Sequence, residues 1–222
     1  MADERYLRLN VPYADKEEVK SLFARWNHNE KFWYATNPKY YYRFAKWINT
    51  DVVITNSLGI VSAKMECWRC GEKTMVSGVG IQHNNMIFVT ERLDLLNDFG
   101  IDLMIIPWSS AEKFIPTQLV QHAESNYHIK AAYSQAVNST YLANTCSNCG
   151  ALQGDHFVYG LTEEPLGINS EQELFLEEIP LLKGDLPILF EPNVQASPQT
   201  NLLSHTEVIR SKFSLTDYTI PQ

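Results

Sequence analysis

The chain holds four cysteines, arranged as two matching steps, Cys67-Trp-Arg-Cys70-Gly and Cys146-Ser-Asn-Cys149-Gly. A Cys-x-x-Cys turn delivers two sulfurs from one tight loop, which suits half of a tetrahedral metal site or a redox couple. With two such turns and no cysteine left over, the pattern favours one structural Zn2+ ligated by Cys67, Cys70, Cys146 and Cys149. Gly71 and Gly150 close the steps, where a positive φ is often needed and where amides turn toward the thiolates. Four thiolates fill the coordination sphere, so such an ion staples chain rather than activating water. The alternative is two independent pairs, buried or redox-active. A redox pair is expected singly beside a βαβ pattern, and neither step has one.

The flanks of both steps read as strands. SAKMECW and TMVSGV surround the first, TYLANT and DHFVYG the second, so each turn sits where two strands meet, as in a zinc ribbon. Between the pairs lie 75 residues, against roughly 15 to 20 in the common spacing. Closure entropy grows with the logarithm of loop length, so the excess costs about 1 kcal/mol, small beside the ~10 kcal/mol that structural zinc contributes. The reading is a ribbon-containing α+β body over 51-160, split by an insertion at 80-140 that folds as its own element. That insertion carries a helical turn from Leu93 to Phe99, a buried strand IDLMIIPW, and a broken helix within 109-133 opened by a Ser-Ser-Ala-Glu capping signature. Asp155 and His156, beside the second step, read either as an acid-base pair or as a turn into the next strand.

Residues 1-50 read as a small β-α-β module. Tyr6, Leu7, Leu9 and Val11 form a strand stopped by Pro12. Asp15 caps a short helix that carries Val19, Leu22 and Phe23 on one face, and Phe32-Trp33-Tyr34 returns as a strand. A second helix from Tyr40 to Ile48 places Phe44, Trp47 and Ile48 on one side. Nine Lys and Arg stand against six acids here, a balance of +3. Lys20, Arg25, Lys31 and Arg43, beside Trp26, Trp33 and Tyr34, offer cations for phosphate and flat surfaces for unpaired bases. The tryptophans read rather as the core of a small domain whose Lys and Arg stems shield them. Nucleic acid is the partner expected through residues 1-50, with Lys20, Arg25, Lys31, Trp33 and Arg43 as contacts.

Residues 151-222 carry three bases and eleven acids, a balance of −8. From 161 to 222 the chain is acidic and proline-spaced, then polar through NVQASPQTN, and reads as a partly irregular region packed on the body. Its charge suits a basic protein partner. No apolar run approaches the ~20 residues of a membrane span, and the N-terminus lacks an apolar export segment, so a cytoplasmic location is expected.

Two stretches resemble known material. LNVPYADKEEVKSLFARWNHNEKFWYA resembles a small bacterial module of unknown function, found attached to plasmid primase-like and other DNA-processing proteins. Leu9, Asn10, Val11, Pro12, Lys16, Lys20, Ala24, Arg25, Trp26, Lys31, Trp33 and Tyr34 occupy its characteristic positions. Phe23 departs from it, standing where the module carries Gly. MECWRCGEKTMV and YLANTCSNCGALQGDHF resemble bacterial split zinc-ribbon proteins of unknown function that often carry this module in front. The resemblance implies a metal-stabilised cytoplasmic protein and supplies no activity. GxSxG, HExxH, GxxxxGK[ST] and GxGxxG motifs are absent. The function expected is a non-enzymatic zinc-binding adaptor, nucleic-acid-associated through its N-terminal module. The alternatives are a protein-interaction or inhibitor role for the acidic half, and an enzyme of unrecognised class.

Overall fold

The computed structural model describes residues 5–48, 50–89, 101–160, 164–167, 172–188, 197–200, 202–216 and 218. The chain is α+β. Its N-terminal part runs β1 (Leu7–Leu9), α1 (Lys16–Ser21), β2 (Arg25–Asn27), β3 (Phe32–Ala35), a 3-10 helix over Pro38–Phe44 and α2 (Ala45–Ile48). The three strands form an antiparallel sheet in the order β1-β3-β2. The expected β-α-β unit thus gains a strand, because residues 27–31 close a hairpin. The Asn27 side chain accepts from the amides of Asn29 and Glu30, and Lys31 takes φ 58°.

Three local expectations change. Asp15 occupies the N-cap position but makes no side-chain cap; its carboxylate accepts from Trp47 Nε1 at 2.8 Å and pairs with Lys46 at 3.1 Å. Those partners, the Trp47 hydrogen bond first, hold its pKa below the usual value. The helix ends at Ser21, so only Val19 of its expected apolar face is fully buried, with Leu22 packed partly behind it. Phe23 takes φ 69° and is 84% exposed. The turn that glycine would make is therefore kept, with a phenylalanine held in the left-handed region.

The body continues with β4 (Val52–Ile54), β5 (Ser57–Glu66), β6 (Lys73–Gln82), β7 (Met86–Phe88), β8 (Ile101–Ile106), α3 (Trp108–Ala111), α4 (Thr117–Asn126), β9 (Ile129–Ser134), β10 (Ser139–Thr145), β11 (Leu152–Gln153), α5 (Asp155–Tyr159), β12 (Leu174–Pro180), β13 (Leu186–Ile188), β14 (Ser197–Thr200) and β15 (Thr206–Arg210). Its centre is a six-stranded sheet, β14-β8-β6-β5-β12-β15, antiparallel except for β12 with β15. Alternation sorts the side chains to two buried faces. Leu58, Ile60, Val79, Ile81, Met104 and Ile106 pack under α3 and α4, whereas Val61, Ala63, Val76, Leu103 and Ile105 pack under α5. Burial on both faces explains the apolar run from Leu103 to Ile106 in β8.

The stretch between the cysteine pairs is not a separate element. β8 hydrogen-bonds to β6 inside the central sheet, and β9 pairs with β10. The helix expected within 109-133 is broken, as α3 and α4, but Ser109 is not its cap: α3 starts at Trp108, and the Ser109 hydroxyl donates to Asp155. DHFVYG is α5 rather than a strand, because neighbouring Val158 and Tyr159 are both buried on one side, which a strand cannot arrange. The acidic region does not merely pack on the body; β12 lies between β5 and β15, and β14, within the polar NVQASPQTN run, pairs with β8. The helical turn expected from Leu93 to Phe99 lies outside the described residues.

The module's core runs into the body, Val53 and Val89 joining Leu7, Leu9, Tyr41, Phe44 and Trp47 in one cluster. A buried hydrogen bond of 2.6 Å from the Tyr41 hydroxyl to Asp185 Oδ2 ties the two parts.

Phe23→Gly should raise stability by about 1 kcal/mol, since left-handed strain costs ~1–2 kcal/mol and glycine's extra freedom returns only part of it. The melting temperature should rise by roughly 2 to 4 °C. Phe23→Ala, which keeps the strain, should show no such gain; equal behaviour of the two variants would refute the assignment.

Candidate metal centre and basic-aromatic groove

The first cysteine step tips the long β5–β6 hairpin and the second joins β10 to β11. The two tips are built alike. In the first, the Cys67 amide donates to Glu72 O at 2.9 Å and the Gly71 amide to Cys67 O at 2.9 Å. In the second, Cys146 donates to Ala151 O at 2.9 Å and Gly150 to Cys146 O at 3.0 Å. Gly71 and Gly150 take φ 72° and 69°, as the turn chemistry requires.

These matched tips meet. Cys67 Sγ lies 3.7 Å from Cys149 Sγ, Cys70 Sγ lies 3.8 Å from Cys146 Sγ, and all four sulfurs fall within 4.8 Å of one another. A disulfide needs ~2.05 Å, and all four are free thiols. A tetrahedron with metal–sulfur bonds of ~2.3 Å has edges of about 3.8 Å, so the donor set and spacing fit one tetrahedral ion. Cys67 and Cys146 are buried at 2% and 3% exposure, while Cys70 and Cys149 lie at the surface.

Electrostatics point the same way. Burial pushes the Cys67 thiol up, but the amides of Cys70 and Arg69 and the neighbouring sulfurs outweigh it and bring it down to about 6. Cys146 is lowered, first by the Cys149 amide. For Cys149 the Ala151 amide lowers the pKa, yet burial and the three other sulfurs push it up to about 11. Only a cation among them lets all four ionise together. Gln153 Nε2, 3.4 Å from Cys67 Sγ, and the Asn148 amide, 3.4 Å from Cys146 Sγ, supply further donors.

Protein contacts bring the tips together as well. Asn144, fully buried, accepts from the Ser77 amide at 2.7 Å and returns Nδ2 to Ser77 O at 2.9 Å. Its side chain thus pairs with β6 as a strand backbone would. Tyr159 adds its hydroxyl to the same carbonyl, and Gly78 leaves room for its ring, since a Cβ there would sit 2.9 Å from it. The Trp68 indole donates to Leu152 O at 2.7 Å, and the Ser147 amide to Thr74 Oγ1 at 3.1 Å. Sequence reasoning passed over Asn144; its one signal is a polar residue in the middle of an otherwise strand-like Leu-Ala-Asn-Thr run.

In the module, an open groove of about 470 Å³ is lined by Arg8, Trp26, Lys31, Phe32, Trp33 and Trp47 among others. Trp26 and Trp33 are register partners across β2 and β3, their rings 5.4 Å apart, and Trp26 is 38% exposed. Of the expected contacts, Lys31 and Trp33 line this groove. Lys20, Arg25 and Arg43 do not: Lys20 is exposed in the last turn of α1, Arg25 pairs in register with Tyr34 on the other face of the sheet from Trp26, and Arg43 stacks over Tyr40 at 4.5 Å. Lys46, beside them in sequence, is engaged by Asp15 and Glu18. Arg8, which the sequence did not single out, lines the groove and lies 4.7 Å over the Phe32 ring.

Residues 7–49 match a family described as a domain of unknown function (DUF5710). Two proteins called DNA primase TraC, both from Escherichia coli, are 49% and 46% identical to this chain over 39 residues, 18% of its length. That segment is 4% and 3% of their own lengths, so the chain spans a small fraction of the curated relatives it matches. No solved structure matches. Among the described residues no helix is long and apolar enough to cross a membrane.

The centre predicts about one metal ion per chain by elemental analysis of protein purified without added metal, and none in Cys67→Ser or Cys149→Ser, each with a loss of several kcal/mol of stability. Metal-free wild type with unchanged stability would count against the site. Asn144→Ala leaves the Ser77 amide without a partner and the Ser77 carbonyl with the Tyr159 hydroxyl alone, and should cost about 2 kcal/mol in urea unfolding.

Proposed function

We propose that the protein is a zinc-stapled binding protein that holds single-stranded nucleic acid on its N-terminal module. The observation that carries the reading is the groove: two neighbouring tryptophans, one substantially exposed, flanked by Lys31 and Arg8, within the residues that match the domain of unknown function, in a chain of which 39 residues are similar to part of a DNA primase. Exposed indoles suit stacking on unpaired bases, and the two cations suit the phosphates between them. Zn2+ is the ion proposed for Cys67, Cys70, Cys146 and Cys149, since four thiolates in a tetrahedron select it. All four positions of the ion are taken by protein, so its role is to hold the β5–β6 and β10–β11 tips together. Lys20, Arg25 and Arg43 are proposed as outlying phosphate contacts rather than members of the groove.

The alternative, a basic protein partner on the acidic half, finds less support. Glu177 is occupied by Tyr127, His122 and Ser211, Glu178 by Ser57, and Asp185 by Tyr41. Three of the eleven acids of residues 151-222 are thus engaged within the fold rather than offered to a partner.

Fluorescence anisotropy with labelled single- and double-stranded oligonucleotides at low salt tests the reading. Single strands should bind more tightly, with affinity falling as salt rises. Lys31→Ala should reduce the salt slope by about 1, and Trp26→Ala should cost ~1–3 kcal/mol for the stacked base. Absence of salt-dependent binding discards the proposal.

A further inference from the structure

The larger cavity, about 640 Å³, lies where module and body meet, and Tyr6, Arg8, Phe32, Lys183, Asp185 and Tyr218 are among its lining. We propose that this seam takes one unpaired nucleotide of the bound strand, with phosphate against Arg8 and Lys183, the base against the aromatic rings, and a base N–H donated to Asp185. The inference rests on the nucleic-acid reading of the module and extends it by naming a base-binding pocket to which the body contributes.

Asp185 carries the argument. It is 4% exposed, and its Oδ2 is taken by the Tyr41 hydroxyl, yet its Oδ1 is buried with no partner among the described residues. A buried acceptor left open is costly and calls for an occupant that donates. The position is held firmly. The Asp185 amide donates to Tyr6 O at 2.9 Å, and a Cβ on Gly184 would sit 2.7 Å from that same oxygen, so the body's loop lies directly on the module's first strand. The Tyr218 hydroxyl, donating to Gly184 O at 3.0 Å, fixes the loop from the other side.

The remaining chemistry is that of a nucleotide. The Tyr6 and Phe32 rings, 5.6 Å apart and tilted by 33°, give an apolar wall, while Arg8 and Lys183 are exposed cations. Glu30 also lines the cavity and disfavours phosphate on its own side. A cavity of this size accommodates a small ligand with a few oriented polar groups. Arg8, Phe32 and Pro187 line both this cavity and the Trp26–Trp33 groove, so a strand lying on the tryptophans runs on into the seam.

The test uses the full chain and a labelled oligothymidylate, compared with the same strand carrying N3-methylthymine, which lacks the base N–H. Wild type should bind the methylated strand about tenfold more weakly, the difference expected of one buried hydrogen bond. In Asp185→Asn, which keeps an acceptor for Tyr41 but turns an amide N–H2 toward the cavity, that discrimination should vanish. Lys183→Ala, at an exposed position, should reduce the salt slope by about 1. If wild type binds both strands alike and Lys183→Ala leaves the slope unchanged, the seam pocket is overturned while the groove stands. If wild type binds neither strand at any salt, the nucleic-acid reading itself falls, and the seam with it. Should Asp185→Asn melt early, the methylated strand on wild type and the Lys183 variant decide the matter.

Discussion

The convergence of two hairpin tips, separated by 75 residues of chain, is the constraint on which the rest of the structure depends. Each tip is locally complete, with its own amide ladder and its own left-handed glycine, but neither can hold an ion alone. What makes them one object is the contact between β6 and β10, and that contact is made by a side chain. Asn144 offers one acceptor and one donor to the backbone of Ser77, so two strands of different sheets are registered as if they belonged to one. The sulfurs then fall at tetrahedral spacing with no distortion of either turn. A metal ion there would add its binding free energy to that of the protein contacts that bring the tips together.

From that junction the architecture follows outward. β5 and β6 are long because they serve twice, carrying a cysteine turn at one end and forming the middle of the six-stranded sheet at the other. The intervening chain cannot stand apart as an independent lobe, since it must return from β6 to β10. It does so by adding β8 beside β6 and laying α3 and α4 over one face of the sheet. The opposite face is closed by α5, which begins almost immediately after the second tip. Loop-closure entropy penalises a long return only weakly, and here most of the return is itself paired strand or packed helix.

How much of this the sequence disclosed divides along physical lines. The cysteine steps and their glycines were legible because their chemistry is local: residue type, spacing and turn conformation are contained in five residues. The strands β5, β6, β8 and β10 were legible because alternation or unbroken apolarity shows within ten. What stayed hidden required partners far away in sequence. DHFVYG has strand-like residues, and its helical form is decided by the need to bury Val158 and Tyr159 together against Leu103 and Ile105. Asp15 looks like a helix cap, but Trp47, 32 residues away, is the stronger claimant on its carboxylate. The acidic texture of Leu174–Pro180 hid an interior strand, because its glutamates are satisfied by the hydroxyls of Ser57, Tyr127 and Ser211 and by His122, all distant in sequence. In the module, Lys20, Arg25, Lys31 and Arg43 are equivalent as letters, and only the hairpin of β2 and β3 separates the one that lines the groove from those that do not.

The same long-range logic bears on where a ligand belongs. A closed four-sulfur centre has no open coordination position, so recognition must come from surfaces that the centre holds in place rather than from the ion. The module offers rings and cations in a groove to which the body adds Pro187. The open buried acceptor of Asp185, however, lies where the loop at Gly184 and Asp185 rests on Tyr6, which needs β13 in the body and β1 in the module at once. A free copy of the module would lack Asp185 and Lys183, and a free body would lack Arg8 and Phe32. In the reading proposed, the module supplies general affinity for a strand wherever it is found attached, and the body to which it is joined determines what is read from that strand. The seam is then the part of this protein in which its own specificity would reside.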